Sequence, residues 1–305
     1  MKRMLRGAAI AAAAALLLSG CSGGGDPLSS DTGSGGSSGD SDTIIVGSAD
    51  FAESQLIATI YSKALQNAGV ETEEKLNIGS REVYMEALKD GSIDLLPEYN
   101  GYLLAELQPD TSETDREVIK QKLVDALPDG IVALDAAEAE NQDVLVVPDE
   151  LAKQHDLENI SDLEPLAGDL TLAGPAEWKS RYIGVPGLEE LYGLKFKKFQ
   201  VFDAGGPLTL AAMTGGQADV GMMFSSDPAI AENGLTGLVD DKGLFLPANV
   251  LPIIRESKAD DTVQETLNAV SAALTMDDLM DMNGRIAAGE DLGAIADDWI
   301  AENDL

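Results

Sequence analysis

Cysteine and histidine are scarce in this chain, and their scarcity excludes several kinds of site. The 305 residues include one cysteine, Cys21, and one histidine, His155. A lone cysteine forms no internal disulfide, and a lone histidine supplies neither a zinc site nor a histidine-based triad. No phosphate loop of the GxxxxGK type occurs either. We therefore expect no metal and no cofactor, and we interpret His155 as a surface residue.

Positive charge is also scarce. The chain has 20 lysine and arginine residues against 54 aspartate and glutamate residues, which gives a formal net charge of -34. Such a surface repels nucleic acid and anionic lipid headgroups. The charge argues against nucleic acid as a partner. It is otherwise typical of a solvated acidic surface and does not identify a ligand.

The N terminus has an apolar run that is too short for a membrane span. Basic residues precede this run, which covers residues 7–18 and leads into a Leu-Ser-Gly-Cys tetrad that ends at Cys21. The tetrad resembles a bacterial lipobox. We predict a lipoprotein signal peptide over residues 1–20 and a lipid anchor at Cys21, on the extracytoplasmic face of the cell membrane. The alternative is an ordinary secretory signal with an incidental cysteine. Residues 21–42, mostly Ser, Gly, Asp and Thr, predict a flexible tether.

One short pattern occurs twice. Residues 87–99 and residues 212–224 share Ala, a large apolar residue, two fillers, Gly, two fillers and Asp, with an aromatic five residues after the Asp. Each copy is typical of a helix end, a glycine stop and a short strand, with Tyr99 or Phe224 beyond the strand's carboxyl end. Ligands bind at such ends in open α/β sheets. Unless the pattern recurs by chance, it predicts two similar lobes that each present an aromatic ring to a shared cleft.

Strand-like and helix-like segments alternate along the rest of the chain, which predicts an α/β class with mainly parallel sheets. The pattern places two crossings of the chain, near residues 142–147 and 246–252. Lobe one would then comprise residues 43–143 plus 249–305, and lobe two residues 144–248. Two strands that cross between lobes form a hinge, which suits a cleft that closes on a ligand.

Three local features of the pattern make definite predictions. Asp50 and Glu53 resemble a helix-capping pair at the start of the first helix. Pro252 interrupts an apolar run and indicates an edge strand, since proline donates no ladder hydrogen bond. Gly284 and Gly289 predict breaks in a helical tail over residues 262–303.

Four segments are distinctive: Ile45–Glu53, Asp94–Gly101, Ser161–Leu163 and Phe224–Asp227. Together they resemble the osmoprotectant-binding proteins of ABC importers, which bind glycine betaine, carnitine or choline. The resemblance covers the chain from residue 43 to its end and is most specific around Pro97–Gly101. It implies a two-lobed type II periplasmic-binding-protein fold, no enzymatic activity, and an ABC permease with its ATPase subunit as partners.

The resemblance also implies which residues contact the ligand. Aromatic faces hold a quaternary ammonium, which has no N–H to donate, by cation–π attraction. Of the family's four cage positions, Tyr99 and Phe224 are aromatic here, whereas Asp143 and Ala248 are not. The arginine that binds the ligand carboxylate corresponds to Arg181. The candidate ligand-binding residues are Tyr99, Phe224, Arg181, Tyr102, Asp143, Asn100, Asn249, Ser48 and Asp50.

The departures from the family pattern concern the ligand. Tyr102 restores one ring, and Asp143 offers a negative charge to a cation. We therefore expect an osmolyte-like quaternary ammonium or related zwitterion, which need not be glycine betaine. Some residues have two interpretations: Asn249 lines the cleft or caps a turn, Trp178 walls the cleft or fills the core, and Arg81 marks an anion site or is solvated.

Three alternative functions stay open at this point. The chain is a receptor for a different cationic or amino-acid-betaine nutrient, a non-transport sensor lipoprotein with the same fold, or an enzyme. For an enzyme, Ser48 or Ser225 would be the nucleophile, but the pattern places no base beside either. The enzyme is the least favoured of the three.

Overall fold

The computed structural model of the protein describes residues 42–305, apart from residues 110, 112 and 114. The predicted signal peptide, the lipid anchor at Cys21 and the tether up to residue 41 lie outside the described residues. Within the part that is described, no helix is both long enough and apolar enough to span a bilayer.

Strands and helices alternate throughout the described residues. The strands are β1 Ile44–Gly47, β2 Thr72–Lys75, β3 Leu95–Tyr99, β4 Ile131–Ala133, β5 Asp143–Pro148, β6 Thr171–Gly174, β7 Lys198–Val201, β8 Val220–Phe224, β9 Leu235–Gly237 and β10 Val250–Arg255. The helices are α1 Ala52–Asn67, α2 Arg81–Asp90, α3 Asn100–Leu107, α4 Arg116–Ala126, α5 Asp149–His155, α6 Val185–Tyr192, α7 Pro207–Thr214, α8 Ala229–Glu232, α9 Asp261–Ala273, α10 Met276–Ala287 and α11 Leu292–Glu302.

The strands form two five-stranded sheets of the same design. The first sheet has the order β2-β1-β3-β10-β4 and the second has the order β7-β6-β8-β5-β9. In each, four strands run in one direction, while β10 or β5 runs antiparallel to both of its neighbours. The two-lobed α/β prediction is confirmed. The sheets are mainly parallel as expected, and β5 and β10 are the exceptions, because each enters its sheet from the connection at the edge where the other strands end.

Two connections between the sheets run side by side. Glu140 and Asn249 form an antiparallel bridge, and the Asn141 N–H donates to the Ala248 carbonyl at 2.9 Å. The predicted hinge therefore corresponds to two segments, around residues 140–141 and 248–249, that hydrogen-bond to each other. We call them the crossing segments. The lobe boundaries given above stay a prediction.

The twice-used pattern occupies equivalent places in the two sheets. Gly91 follows α2 and Gly216 follows α7, with φ angles of 79° and 66°, in the left-handed region that glycine adopts readily. The carboxylates of Asp94 and Asp219 accept backbone N–H groups from β1 and β6, at 2.9 and 2.8 Å, and these two strands hold the same place in the order of their sheets. The repetition is therefore structural.

Both faces of each sheet are covered by apolar contacts. In the first sheet, Leu56 of α1 and Leu267 of α9 lie in the cluster on one face, and Leu88 of α2 and Leu103 of α3 lie in the cluster on the other, all fully buried. Burial of apolar surface of this kind is the main stabilising contribution to a fold. The apolar clusters cover the faces of the sheets, so the ends of the strands are free to form a cavity.

The prediction of an edge strand at Pro252 is wrong, because β10 lies between β3 and β4. Pro252 faces Pro97 directly across the sheet. Positions that make hydrogen bonds alternate with positions that do not along an antiparallel pair, so two facing prolines can share a position that needs no donor. On the other side, the Pro252 carbonyl accepts the N–H of Leu134 at 3.0 Å.

The remaining local predictions have mixed outcomes. The helical tail breaks before Thr275, which forms a capping box with Asp278, and it breaks at Gly289 as predicted. Gly284 lies inside α10, so the break predicted there is wrong. The capping pair of Asp50 and Glu53 is also wrong: α1 begins without a side-chain cap, since the Glu53 carboxylate is buried among other partners.

Candidate functional site

The carboxyl ends of β3 and β8 face one cavity between the two sheets, with a volume of about 80 Å³. Its aromatic lining residues are Phe51, Tyr84, Tyr99, Tyr102, Trp178 and Phe224. Its charged lining residues are Asp50, Arg81, Asp143, Glu177 and Arg181. The cavity therefore offers ring faces and both signs of charge within a small space.

Three rings stand in a row along this cavity. The Phe51 centroid is 6.0 Å from that of Tyr99 and 5.3 Å from that of Phe224, with interplanar angles of 36° and 37°. Sequence reasoning missed Phe51, although it lies shortly after the carboxyl end of β1 and the other two rings lie at the carboxyl ends of β3 and β8. Trp178 fits both of its interpretations, since it lines the cavity and stacks on Phe245. Such a row of rings provides faces for a cation.

The Tyr99 ring is held by a buried carboxylate. Its hydroxyl donates to Glu53 Oε1 at 2.5 Å, and Asn141 Nδ2 donates to the same oxygen at 2.8 Å. Ser226 Oγ and Asn283 Nδ2 each donate to Glu53 Oε2 at 2.7 Å. Burial raises the pKa of the Tyr99 hydroxyl well above its usual value, and the nearby Glu53 charge raises it further. The hydroxyl therefore stays a donor, and the ring keeps one orientation.

Arg81 fits neither of its two interpretations. It is buried, and its Nε and Nη2 donate to the two carboxylate oxygens of Glu98 at 2.6 and 2.9 Å. The Tyr84 hydroxyl also donates to Glu98, at 2.6 Å. Burial acts to lower the pKa of Arg81, but the Glu98 charge, Tyr84 and the hydrogen bond to Glu98 together outweigh burial and hold that pKa above its usual value. The guanidinium is thus charged, and its Nε–Nη2 edge is occupied by a protein carboxylate.

Arg181 lines the cavity and makes an ion pair with Glu82, which lines a neighbouring cavity. Its Nε is 3.0 Å from Glu82 Oε1, and its Nη2 lies 2.9 and 2.8 Å from Oε1 and Oε2. Glu82 belongs to α2 beside the first sheet, whereas Arg181 precedes α6 beside the second. Partial burial opposes ionisation of Glu82, but hydrogen bonds from Ser80 and Arg181 lower its pKa to about 2. The ion pair is therefore intact at neutral pH.

Asp143 is buried at the start of β5, and its N–H donates to the Tyr102 hydroxyl at 2.6 Å. Burial raises the pKa of its carboxyl to about 7, against the opposing influence of Arg181, Arg81 and a hydrogen bond with Trp178. The carboxyl is therefore close to half-ionised at neutral pH. A cation bound beside it would favour the carboxylate form.

Six of the nine candidate residues line the cavity: Tyr99, Phe224, Arg181, Tyr102, Asp143 and Asp50. The structure does not bring the other three to its lining. Ser48 is buried and accepts the N–H of Asn77 at 2.8 Å. The Asn100 side chain accepts the N–H of Asn249 at 3.0 Å, and Asn249 donates to two carbonyls of a neighbouring segment. These amides hold backbone in place beside the crossing segments. Contact of the six with ligand stays a prediction.

The chain matches a family over nearly all of the described residues. Residues 42–302 match the family described as the substrate binding domain of ABC-type glycine betaine transport system. The chain is similar to the glycine betaine-binding protein YehZ of Escherichia coli K12, at 28% identity over 275 residues, or 84% of this chain and 89% of that protein. It is also similar to the carnitine transport binding protein OpuCC of Listeria monocytogenes, at 27% identity over 264 residues and 82% of each chain.

Solved structures share the fold. A glycine betaine/carnitine/choline ABC transporter structure has a TM-score of 0.68 at 21% identity, over 86% of this chain and 98% of the other. Apo YehZ from Escherichia coli has a TM-score of 0.57 at 26% identity, over 85% and 98%. A choline binding protein in complex with choline has a TM-score of 0.62 at 19% identity, over 86% and 89%. These likenesses agree with the predicted resemblance and with the two-lobed architecture.

Proposed function

We propose that this chain, which belongs to the family of substrate-binding domains of ABC-type glycine betaine transport systems, captures a small quaternary ammonium solute in the cavity between its two sheets. The observation that carries this proposal is the row of Phe51, Tyr99 and Phe224 beside the buried Asp143. Each ring face contributes about 0.5–2 kcal/mol to holding a quaternary ammonium. The carboxylate adds a charge of opposite sign. The chemistry of the site is binding alone.

We further propose that the chain works as a lipoprotein on the extracytoplasmic face of the membrane. The basic, apolar and small residues that lead to Cys21 support a lipid anchor, and family membership supports delivery of the ligand to an ABC permease with its ATPase. Labelling of cells with a palmitate analogue tests the anchor: the wild-type chain takes the label and Cys21→Ala does not. A wild-type chain without label would contradict it.

Calorimetric titration with choline, carnitine and glycine betaine tests the ligand class. We expect at least one of them to bind. We expect Phe224→Leu, which keeps an apolar side chain but removes the ring, to weaken that binding by about 3-fold to 30-fold.

Phe196→Leu is the matched control, because Phe196 packs in the core of the second sheet and does not line the cavity. It should leave the affinity unchanged. If no quaternary ammonium binds the wild-type chain, or if Phe224→Leu binds as tightly as wild type, the proposal is wrong.

A further inference from the structure

Both guanidinium groups that line the cavity are already occupied by protein carboxylates. Arg81 makes a two-point ion pair with Glu98, which is fully buried. Arg181 makes one with Glu82. A two-point pair uses the fork geometry by which arginine recognises a ligand carboxylate. The Nε–Nη2 edge of neither group is therefore available to a ligand unless the arginine first gives up its partner.

Glu82 holds the Nε–Nη2 edge of Arg181, where a carboxylate can make a two-point contact. Three contacts of 2.8 to 3.0 Å join the two side chains. Ser80 Oγ donates to Glu82 Oε2 at 2.7 Å and fixes the carboxylate from behind. Glu82 reaches the arginine from α2, across the gap between the sheets. Arg181 borders both the ligand cavity and a neighbouring one, and Glu82 reaches it from the neighbouring one.

The other charges on the cavity lining are negative. Asp50, Asp143 and Glu177 all line it, and among the described residues none of them forms an ion pair. Asp143 is also 5% exposed, so little water screens its charge. A cation entering this cavity meets several carboxylates. A ligand carboxylate meets the same carboxylates, and the Nε–Nη2 edge of each guanidinium is already taken.

A ligand carboxylate could displace Glu82, but the exchange brings little net gain. The Glu82 side chain is 43% exposed and borders a neighbouring cavity of about 430 Å³, so it has room to leave. One carboxylate would then replace another at Arg181. The incoming group would also lose its hydration, a cost that a full new ion pair would normally offset.

We propose that Glu82 is an internal competitor for ligand carboxylates, which makes this cleft select quaternary ammonium cations without a carboxylate over betaines. The proposal rests on the proposed function, because it assigns specificity within the same cavity. Discrimination of this kind acts against the wrong ligand rather than for the right one. Glu82 is therefore a specificity-determining residue, although it touches the ligand only through Arg181.

The test is calorimetric titration of choline and glycine betaine into three forms of the protein: wild type, Glu82→Gln and Glu86→Gln. Glu86 lies on the same helix, is 73% exposed and pairs with Lys89, so it is the matched control. We expect wild type to bind choline about tenfold or more tightly than glycine betaine. We expect Glu82→Gln to reduce that ratio about tenfold through tighter betaine binding, and Glu86→Gln to leave it unchanged.

Three results would overturn the proposal. The first is that wild type binds glycine betaine as tightly as choline, a result that needs no variant. The second is that Glu82→Gln changes both affinities by the same factor, which would make the ion pair a contact between the halves without a role in specificity. The third is that Glu82→Gln leaves both affinities unchanged. Failure of the proposed function looks different, since then neither ligand binds any of the three forms.

Discussion

Three buried carboxylates show how the neighbours of a residue decide its role. Glu98 meets a guanidinium, and Glu53 meets four neutral donors. Asp143 has no ion-pair partner in the part of the chain that the structure describes, although two arginines lie on the same cavity. A buried charge needs such compensation, or it takes up a proton. Sequence reasoning nominated Asp143 by its place in a family pattern. It missed Glu98 and Glu53 as parts of the site because their partners are distant in the chain.

Asp143 should make stability depend on pH. Its pKa is about 7 in the folded protein, against a usual value of 3.8, so between these pH values the folded state binds more protons than the unfolded state. Its contribution is complete below about pH 4 and is lost as the pH rises through about 7. Relative to Asp143→Asn, the free energy of unfolding of wild type should fall by about 3 kcal/mol between pH 5 and pH 8.

Urea denaturation of both proteins at the two pH values measures this difference. Arg181, Arg81 and the other groups that titrate are common to both proteins, so their contributions cancel in the comparison. Parallel changes in the two proteins would show that Asp143 is ionised throughout.

At the scale of helices and strands, the sequence predicts best those elements whose signals lie within their own residues. Helix α1 and the repeated helix–glycine–strand unit were predicted because apolar spacing and a glycine stop are local signals. Strand β2 is hard to place from sequence, since Thr72–Lys75 is polar and mostly exposed and shows no alternation of apolar and polar residues. The three-residue β9 was missed for lack of length. Pro252 was misread because its place in the sheet depends on Pro97.

The glycine stop of the repeated unit carries a prediction. Gly216 has a φ of 66°, and an added Cβ would meet no atom within 4 Å, so Gly216→Ala strains only the backbone. We expect it to lower the free energy of unfolding by about 1–2 kcal/mol. Gly168 has equally open surroundings without a positive φ, so Gly168→Ala should change stability by less than about 0.5 kcal/mol. Equal effects in urea denaturation would show that the left-handed turn is not what requires glycine.

At the scale of the whole molecule, the two halves are joined by contacts that converge on the cavity. Glu53 collects hydrogen bonds from β3, a crossing segment, the chain after β8 and α10, and Glu82 contacts Arg181. The sequence predicted two lobes, a hinge and a shared cleft, because the repeat and the alternation extend over the chain. It did not predict the contacts between the halves, since no local pattern records which side chains meet across a gap.

Ser226 tests the importance of the Glu53 contacts. Its hydroxyl donates to Glu53 at 2.7 Å and is fully buried, so Ser226→Ala leaves a buried carboxylate one donor short. We expect a loss of about 1–3 kcal/mol in the free energy of unfolding. Ser271 is a matched control, being 2% exposed with a hydroxyl that has no hydrogen-bond partner. Ser271→Ala should be neutral or stabilising in the same denaturation experiment, and a similar loss in both variants would contradict the prediction.

The position of β10 determines the order in which a growing chain can complete its sheets. Strands β5 to β9 are consecutive, so the second sheet has all its strands once residue 237 has been made. The first sheet has to wait for β10, which inserts between β3 and β4, and for the helices that follow it. During synthesis from the N terminus, the part of the protein that is made first is therefore the last to close.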